Sequence, residues 1–314
     1  DAIAVPGTLD LRKTRYHFAQ MATYQSVHRS PDSPISADKR SMVHRAVLNA
    51  CDSLVDGAVD GLIENPRTCE FDPGVLLCRG ADRADCLTEA QVETARSMYL
   101  PVIHPPTGEI ITTRYLRGSE LNWDSPVETP PMPNALEFFK AAVFEDPTWD
   151  HRERPINFEN DFELADRPEM IQGLNATEPD LTDFIGRGGK ILIVGGWADA
   201  RTTWSGSVDY YEGVLDEVGE AARDGIRLFM VPGMDHMLTS RPTIRGAQGF
   251  ELDTLSVLLD WKETGTAPNR VVVTRYEDAA EVGTRLVCAY PQVAVYQDVG
   301  DVSDAANFAC SFPE

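Results

Sequence analysis

The sequence has no long apolar run and no excess of positive charge, and each absence excludes a class of function. No apolar run approaches the ~18 to 20 residues that a membrane-spanning helix needs, and the first residues lack the basic-then-apolar pattern of a signal peptide. Acidic residues outnumber basic ones by 50 to 28, for a formal charge of -22, so a polyanion would be repelled. We expect no membrane and no nucleic-acid partner, a soluble chain from which any targeting peptide has been removed, and a metal cation as a natural partner.

Cys-x-x-Cys spacing is also absent, which disfavours a zinc ribbon or a thioredoxin-like motif. The cysteines are even in number, and four of them lie in one loop-rich segment; they are Cys51, Cys69, Cys78, Cys86, Cys288 and Cys310. This pattern favours disulfides and an oxidising compartment, although it leaves the pairing open. The glycosylation sequon Asn175-Ala176-Thr177 fits the same secreted, extracellular setting.

Two blocks of the sequence, 188–199 and 226–236, have the pattern of buried parallel strands that are followed by functional loops. Between them, the segment 207–222 carries apolar residues at roughly helical spacing, and 252–261 predicts a further covering helix. Strand, helix and strand in this order form a βαβ unit. The sequence therefore predicts an α/β fold with a doubly wound sheet.

The middle of the chain, from about 25 to 180, differs from these blocks. It is rich in proline, it contains the cysteine cluster, and it shows few strand patterns. Irregular chain of this length does not belong in a sheet. We predict an inserted lid domain over 25–180, with the core formed by 1–24 and 181–314.

The candidate catalytic residues follow the two predicted strands. Asp199 and His236 stand in the loops just beyond the strand ends, where open α/β sheets place functional residues. Aspartate before histidine is the order of an α/β-hydrolase triad, in which the acid orients the imidazole. The alternative is that Asp199 caps the following helix and His236 is an ordinary loop residue. Asp235 could be mistaken for the acid, but a sequence neighbour usually points elsewhere.

The third member of such a triad is missing from the sequence. No Gly-x-Ser-x-Gly elbow occurs, and Ser205 and Ser207 follow the acid instead of standing between a strand and a helix. We therefore expect the nucleophile to lie outside this chain.

Several long motifs resemble the tannase and feruloyl esterase family of α/β-hydrolases nearly from end to end. The motifs that carry the resemblance are "CDSLVDGAVDGLIENPRTCEFDPGVLLC", "CLTEAQVETARSMY", "GSELNW", "LNATEPDLTDFIGRGGKILIVGGWAD", "RLFMVPGMDH" and "CAYPQVAVYQDVGDVSDAANFAC". The resemblance implies a hydrolase core, incomplete in this chain, with a large lid that covers the active site and carries a structural calcium.

The family's calcium loop, carried over to "CDSLVDGAVDGLIE", implies a set of oxygen ligands for Ca²⁺. These are the carboxylates of Asp52, Asp56 and Asp60 and the backbone carbonyls of Ala58 and Leu62. Hard Ca²⁺ prefers such oxygens, and glycines let the loop turn tightly. One extra residue separates Asp52 from Asp56 relative to the family's spacing. The alternative is a solvated Asp-Gly turn.

The same resemblance implies three local disulfides, Cys51 with Cys69, Cys78 with Cys86, and Cys288 with Cys310. Two positions depart from the family. Met237 replaces the cysteine that ties the histidine loop to the serine loop, and Gly195 replaces a histidine of the pocket.

The start of the chain, "DAIAVPGTLD", resembles the family's strand after the elbow helix. We therefore expect the serine on an N-terminal chain of the same precursor, with a truncated fragment as the rival explanation.

The resemblance implies a carboxylic-ester hydrolase that acts on small esters of aromatic acids. His236 serves as general base and Asp199 as the acid that orients it. Aromatic residues of the lid, such as Trp123, Phe138, Phe139 and Phe144, are candidates to pack against a planar acyl group. The alternatives are an acyltransferase or an unusual biosynthetic hydrolase on the same fold, and a noncatalytic binding protein that keeps the fold.

Overall fold

The computed structural model describes residues 2–5, 7, 9, 11–113, 115–124, 131–242 and 247–313 of the 314-residue chain. The similarity of "DAIAVPGTLD" to a family strand rests partly on residues 1, 6, 8 and 10, which lie outside the described residues. Residues 2–5 do form a strand. No helix in the described part of the chain is both long enough and apolar enough to cross a membrane.

The described residues form strands in three regions of the chain. In chain order the strands are β1 (Ala2–Val5), β2 (Val102–Ile103), β3 (Ile110–Thr112), β4 (Lys190–Gly196), β5 (Ile226–Val231), β6 (Gly249–Glu251), β7 (Arg270–Glu277), β8 (Ala280–Cys288), β9 (Val293–Tyr296) and β10 (Phe308–Ser311). The α-helices are α1 (Lys13–Val27), α2 (Ala37–Cys51), α3 (Glu89–Met98), α4 (Pro133–Glu137), α5 (Asn160–Ala165), α6 (Pro168–Leu174), α7 (Thr182–Gly186), α8 (Ser205–Val218) and α9 (Thr254–Thr264).

A parallel sheet in the order β1, β4, β5 positions the candidate catalytic loops. Strand β4 pairs in parallel with both neighbours, with Ala4 opposite Leu192 and Val194 opposite Phe229. The strand is buried along its length because it has covering elements on both faces. The α/β class and the predicted βαβ unit are confirmed by β4, α8 and β5.

Alternate residues of β4 belong to two different cores. Leu192 and Val194 pack in a core with Trp261 of α9 and with residues of the C-terminal strands. Ile191 and Ile193 pack on the opposite face, in the core that α8 covers. This period of two is what a strand with side chains on both faces requires.

The helix boundaries follow from capping residues. Thr88 and Gln91 form a reciprocal capping box at the start of α3. The Asp253 side chain accepts a hydrogen bond from the backbone N–H of Ser256 at the start of α9. That helix ends at Gly265, which has a φ of 70°, the left-handed geometry that glycine adopts without steric cost.

The segment 25–180 consists mainly of short helices joined by loops, with the antiparallel pair β2 and β3. The aromatic residues predicted to face an acyl group lie in its hydrophobic cores. Trp123 and Phe139 are fully buried and Phe138 is nearly so, while Phe144 packs against the same core as Phe139. These rings therefore stabilise the segment.

Helix α1 connects the start of the chain to this segment. It runs across residue 24, and its buried residues Phe18 and Met21 pack in the same core as Phe139. The domain boundary at residue 24 stays a prediction.

The C-terminal part forms an antiparallel sheet in the order β6, β7, β8, with the separate pair β9 and β10 beside it.

The three disulfide pairings that the resemblance implies are confirmed. Cys51 is bonded to Cys69, Cys78 to Cys86, and Cys288 to Cys310. The last of these links the end of β8 to β10.

Candidate active site

The loops that follow β4 and β5 are in direct backbone contact. Trp197 N–H donates to Val231 O over 3.1 Å, and Ala198 N–H donates to Met234 O over 3.0 Å. At Gly196 a Cβ atom would lie only 2.2 Å from Met234 O. Only glycine allows this approach, so the contact fixes the separation of the two loops.

This contact brings Asp199 and His236 together, as the sequence predicts. Asp199 Oδ2 lies 2.8 Å from His236 Nδ1. Asp199 is buried, and its carboxylate also accepts hydrogen bonds from the backbone N–H groups of Arg201 and Thr202 and from the Thr202 hydroxyl. The carboxylate is therefore held in one orientation with one oxygen directed at the imidazole.

The imidazole of His236 is ready to act as a base. Its Nδ1 is engaged by Asp199, and about one-third of the side chain is exposed. The hydrogen bond to Asp199 raises the pKa of His236 above its usual value of 6.5, against the opposing effect of burial. In the described part of the chain, no hydroxyl group hydrogen-bonds to Nε2.

The neighbouring residues do not compete for these roles. The carboxylate of Asp235 faces Arg201, with Oδ2 3.9 Å from Nε, and burial raises the pKa of Asp235 to about 6. Ser205 Oγ hydrogen-bonds to the hydroxyl of Thr113, and Ser207 Oγ accepts from the N–H of Leu9.

The two departures from the family pattern have local structural consequences. At Gly195 a Cβ atom would lie 2.9 Å from Met230 Sδ, so the space that a side chain would need is filled by the neighbouring strand. Met237 is mostly exposed and forms an isolated antiparallel bridge with Gly7. The histidine loop is thus joined to the segment after β1 by backbone contact.

Arg67 links the segment 25–180 to the loop that carries Asp199, a role that no sequence pattern predicted. We call this arrangement the Arg67 clamp. The guanidinium carbon lies 5.2 Å from the ring centre of Trp197, 5.8 Å from that of Trp204 and 5.5 Å from that of Tyr290. Its Nη1 also donates to Tyr290 Oη over 3.1 Å. Cations over aromatic faces are attracted by the ring quadrupole, so this residue holds Trp197 close to Asp199.

The acidic loop, residues 52–64, folds around Arg285 of β8. The guanidinium donates to Asp56 Oδ2 over 2.6 Å, to Asp60 Oδ2 over 2.7 Å and to Glu64 Oε2 over 2.7 Å. Arg275 of β7 adds bonds to Asp60 Oδ2 and to its backbone carbonyl. The loop is therefore attached to the C-terminal sheet by buried ion pairs.

The donor chemistry of this loop fits a calcium ion. The carboxylates of Asp56, Asp60 and Glu64 pair with two guanidinium groups, and the Asp52 carboxylate makes no ion pair. Four carboxylates against two guanidinium groups leave a formal charge of about -2 in a buried place. Burial, together with the charges of the neighbouring aspartates, raises the pKa of Asp52 to about 6, and its Oδ1 is buried without a hydrogen-bond partner.

The two predicted carbonyl ligands belong to residues whose N–H groups bind the aspartates. Ala58 N–H donates to Asp56 Oδ1, and Leu62 N–H donates to Asp60 Oδ1. Both residues are buried, and their carbonyl oxygens accept no hydrogen bond from the described residues. Buried carbonyls normally have a partner. Among the described residues, no group of three or more metal-binding side chains is arranged to hold an ion, and the carboxylates of Asp56 and Asp60 are bonded to Arg285 instead.

The chain matches known proteins over nearly its whole length. Residues 5–311 match the family described as tannase and feruloyl esterase. The chain is 32% identical over 322 residues to an uncharacterized esterase of Xanthomonas campestris pv. campestris, covering 90% of this chain and 56% of the relative. It is 31% identical over 305 residues to feruloyl esterase C of Talaromyces stipitatus, covering 90% and 55%. The chain thus spans about half the length of the curated relatives it matches.

A solved structure shows the same fold. The crystal structure of an esterase from Aspergillus oryzae superposes with a TM-score of 0.84 at 24% identity, covering 99% of this chain and 64% of that one. This likeness confirms the α/β-hydrolase fold class.

The ion-pair cluster around Arg285 generates a stability prediction. Arg285→Met leaves the buried carboxylates of Asp56 and Glu64 without their cation and Asp60 with Arg275 alone, and breaking a buried pair in this way costs ~3 to 5 kcal/mol. We expect the free energy of unfolding, measured by urea denaturation in chelator, to fall by about that amount. The exposed control Arg223→Met should change it by less than ~0.5 kcal/mol.

Adding Asp56→Asn to Arg285→Met removes one of the stranded charges and should recover part of the loss. Equal stability of Arg285→Met and wild type would contradict the cluster.

Proposed function

This chain belongs to the tannase and feruloyl esterase family, and from this premise we propose that it supplies the acid and the base of a serine esterase acting on esters of aromatic acids. The observation that carries the proposal is the buried Asp199 carboxylate, 2.8 Å from Nδ1 of a partly exposed His236. The names of the relatives, an esterase and a feruloyl esterase, support the ester chemistry.

In the proposed reaction, His236 Nε2 takes the proton of a serine hydroxyl as its oxygen attacks the ester carbonyl carbon. The imidazolium then gives this proton to the departing alcohol oxygen as the carbonyl–alcohol bond breaks. Water then attacks the acyl-serine, and His236 takes a proton from this water as its oxygen bonds to the carbonyl carbon. The imidazolium returns the proton to the serine oxygen as the acyl–serine bond breaks and the acid is released. Asp199 fixes the tautomer with hydrogen on Nδ1 and stabilises the imidazolium without taking its proton.

We propose that the serine comes from an N-terminal chain of the same precursor. The outer edge of β1 has no partner strand among the described residues, and an unpaired edge of a parallel sheet favours the addition of a strand. Ser205 and Ser207, the serines nearest to the acid in sequence, make other hydrogen bonds. Both observations fit a nucleophile that approaches Nε2 from beside β1.

We further propose that the acidic loop holds a structural Ca²⁺ through the carboxylates of Asp52, Asp56 and Asp60 and the carbonyls of Ala58 and Leu62. The ion would neutralise the negative charge that the two arginines leave uncompensated. It would also hold the ligand residues of the loop, from 52 to 62, around one centre. It takes no part in the ester chemistry described above.

Secretion into an oxidising compartment is part of the proposal, because three disulfides are typical of extracellular proteins. The sequon at Asn175 stays a prediction. Its side-chain amide exchanges hydrogen bonds with Thr14, so a glycan on Nδ2 would have to disturb this contact.

The first functional prediction separates the acid from its neighbour in the assembled protein. Asp199→Asn should lower kcat on an activated aryl ester by on the order of ~10⁴, because the histidine tautomer is no longer fixed. Asp235→Asn should cost less than about tenfold, since its carboxylate faces Arg201. His236→Ala should remove nearly all turnover.

The isolated chain should be inactive, and coexpression with the N-terminal chain should restore turnover. Full activity of His236→Ala, or comparable hydrolysis by this chain alone, would contradict the mechanism.

The pH dependence follows from the raised pKa of His236. Only the neutral imidazole accepts the serine proton, so kcat/KM should rise with pH to a plateau, with a midpoint above 6.5. In Asp199→Asn the residual activity should show a lower midpoint, because the hydrogen bond and the negative charge that raise the pKa are lost while burial remains. Identical midpoints would show that Asp199 does not act on this imidazole.

Calcium is tested through thermal stability with and without a chelator. An ion that binds only the folded chain contributes ~2.7 kcal/mol at 100 times its Kd, so wild type should melt at a lower temperature in chelator. Asp52→Asn should lose most of this difference, yet melt in chelator no lower than wild type, because it removes a buried carboxylate that makes no ion pair with Arg285. The exposed Asp216→Ala should keep the full difference.

Equal melting of wild type in both conditions, with no calcium found by elemental analysis, would overturn the calcium site.

A further inference from the structure

The segment 118–123, with the sequence "GSELNW", lies against the loop that carries Asp199, and the ester chemistry proposed above gives it no role. It contains one short turn of 3₁₀ helix, Glu120–Asn122. The Asn122 side chain is 3% exposed, and its Nδ2 donates to the backbone carbonyl of Ala198 over 2.9 Å. Because a carbonyl only accepts, this bond identifies which end of the amide is nitrogen. A side chain remote in sequence therefore binds the residue directly before Asp199.

Ala198 is fixed on both sides by hydrogen bonds to different parts of the molecule. Its N–H donates to Met234 O of the histidine loop over 3.0 Å, and its carbonyl accepts from Asn122. Since a peptide group is planar, the carbonyl of Ala198 and the N–H of Asp199 turn together. The two bonds thus hold the peptide planes before and after Ala198, and the second bond sets the direction in which the chain enters Asp199.

The hydrogen bonds of the Asp199 carboxylate come from the other side. Its oxygens bond to the imidazole of His236 and to groups of the segment 201–202, all of them later in the chain. Residues that follow Asp199 therefore hold its side chain, whereas Asn122 holds the backbone that precedes it. Without the bond to Asn122, the peptide between Ala198 and Asp199 would be free to rotate, and the carboxylate would turn with it.

The turn that carries Asn122 is anchored in the segment 25–180. Glu120 is fully buried, and its Oε1 accepts from Tyr99 Oη over 2.6 Å. Its Oε2 lies 2.8 Å from His44 Nδ1. Hydrogen bonds to both carboxylate oxygens fix the turn, so Asn122 reaches the neighbouring loop from a rigid support.

The free energy of folding does not explain a carboxamide at position 122. Asn122 Oδ1 is buried with no hydrogen-bond partner among the described residues, and an unpaired buried acceptor costs about as much as one hydrogen bond contributes. In Asn122→Leu, which keeps a similar shape, Ala198 O would lose its donor, but the unpaired Oδ1 would be removed. The number of unpaired buried acceptors would thus stay the same. What the carboxamide adds is a fixed direction of the Ala198 carbonyl.

We propose that Asn122 is a positioning residue for the Asp199–His236 pair and acts through its hydrogen bond to the Ala198 carbonyl. It fixes the backbone from which the Asp199 carboxylate reaches the imidazole, and it does not act on the reacting atoms. That this positioning serves ester hydrolysis rests on the proposed function.

NMR spectroscopy of the 314-residue chain tests the positioning without any turnover. The far-downfield resonance of the His236 Nδ1 proton reports the hydrogen bond to Asp199, the ring carbon shifts give the His236 pKa, and His236→Ala assigns both signals. In Asn122→Leu the resonance should weaken or disappear and the pKa should fall by about half a unit or more, since the bond to Asp199 is what raises it. Asn122→Ala, which removes the same donor, should shift both signals in the same direction. The exposed control Asn160→Leu should leave them unchanged.

Ser119→Ala separates positioning from general stability. The Ser119 hydroxyl is fully buried, accepts from Trp123 Nε1 over 3.0 Å and donates to a backbone carbonyl over 2.6 Å. Its loss removes two buried hydrogen bonds of the same segment but not the bond to Ala198. Ser119→Ala should therefore lower the free energy of unfolding in urea more than Asn122→Leu does, yet leave the His236 resonance and pKa as in wild type.

An unchanged resonance and pKa in the Asn122 variants would overturn the proposal, and so would an equal change in Ser119→Ala, which would make the effect one of stability. In the assembled protein, Asn122→Leu should lower kcat on an activated aryl ester about tenfold with KM within about twofold, and an unchanged kcat would also overturn the role. A lowered His236 pKa in an assembled Asn122→Leu protein whose wild type hydrolyses no ester would uphold the positioning and overturn the proposed function instead.

Discussion

The close approach of two strand-end loops is the constraint on which the candidate site depends. Gly196 lets the backbone after β4 lie against the carbonyl of Met234, and the two hydrogen bonds beside it fix the register of the loops. A side chain at this position would push the acid away from the base. The 2.8 Å contact between Asp199 and His236 is thus a consequence of backbone packing, and the hydrogen bonds from Thr202 only refine its orientation.

Charge compensation attaches the rest of the molecule to this framework. The chain carries a large excess of acid, yet Arg285 and Arg275 of the C-terminal sheet are buried among the carboxylates of the acidic loop. These long-range pairs join the residues around position 56 to those around position 285. Buried ion pairs are costly to break and add little over apolar packing, so their effect is to specify where the loop lies.

The sequence predicts most of what depends on local pattern and little of what depends on long-range pairing. The strands β4 and β5, the helices that cover them and the Asp199–His236 pair follow from periodicity and from the position of functional loops in open sheets. The disulfides follow only from the family resemblance. The roles of Arg67 and Arg285 could not be predicted, since no linear signal connects either arginine to its partners. The aromatic residues of the predicted lid were candidates for substrate contact, but Trp123 and Phe139 are buried in the hydrophobic cores of the segment 25–180.

The Arg67 clamp has a consequence for how the molecule opens. Arg67 lies two residues from Cys69, which is bonded to Cys51 beside the acidic loop, and its guanidinium contacts Trp197, Trp204 and Tyr290. A fluctuation that frees the Arg67 side chain therefore loosens three segments together: the loop that carries Asp199, the acidic loop of residues 52–64, and the turn after β8. We therefore expect these segments to unfold as one cooperative unit, in which amide hydrogens exchange with solvent at a common rate. On this expectation, the loop of Asp199 owes its protection from exchange to a disulfide-anchored part of the segment 25–180 that is remote from it in sequence.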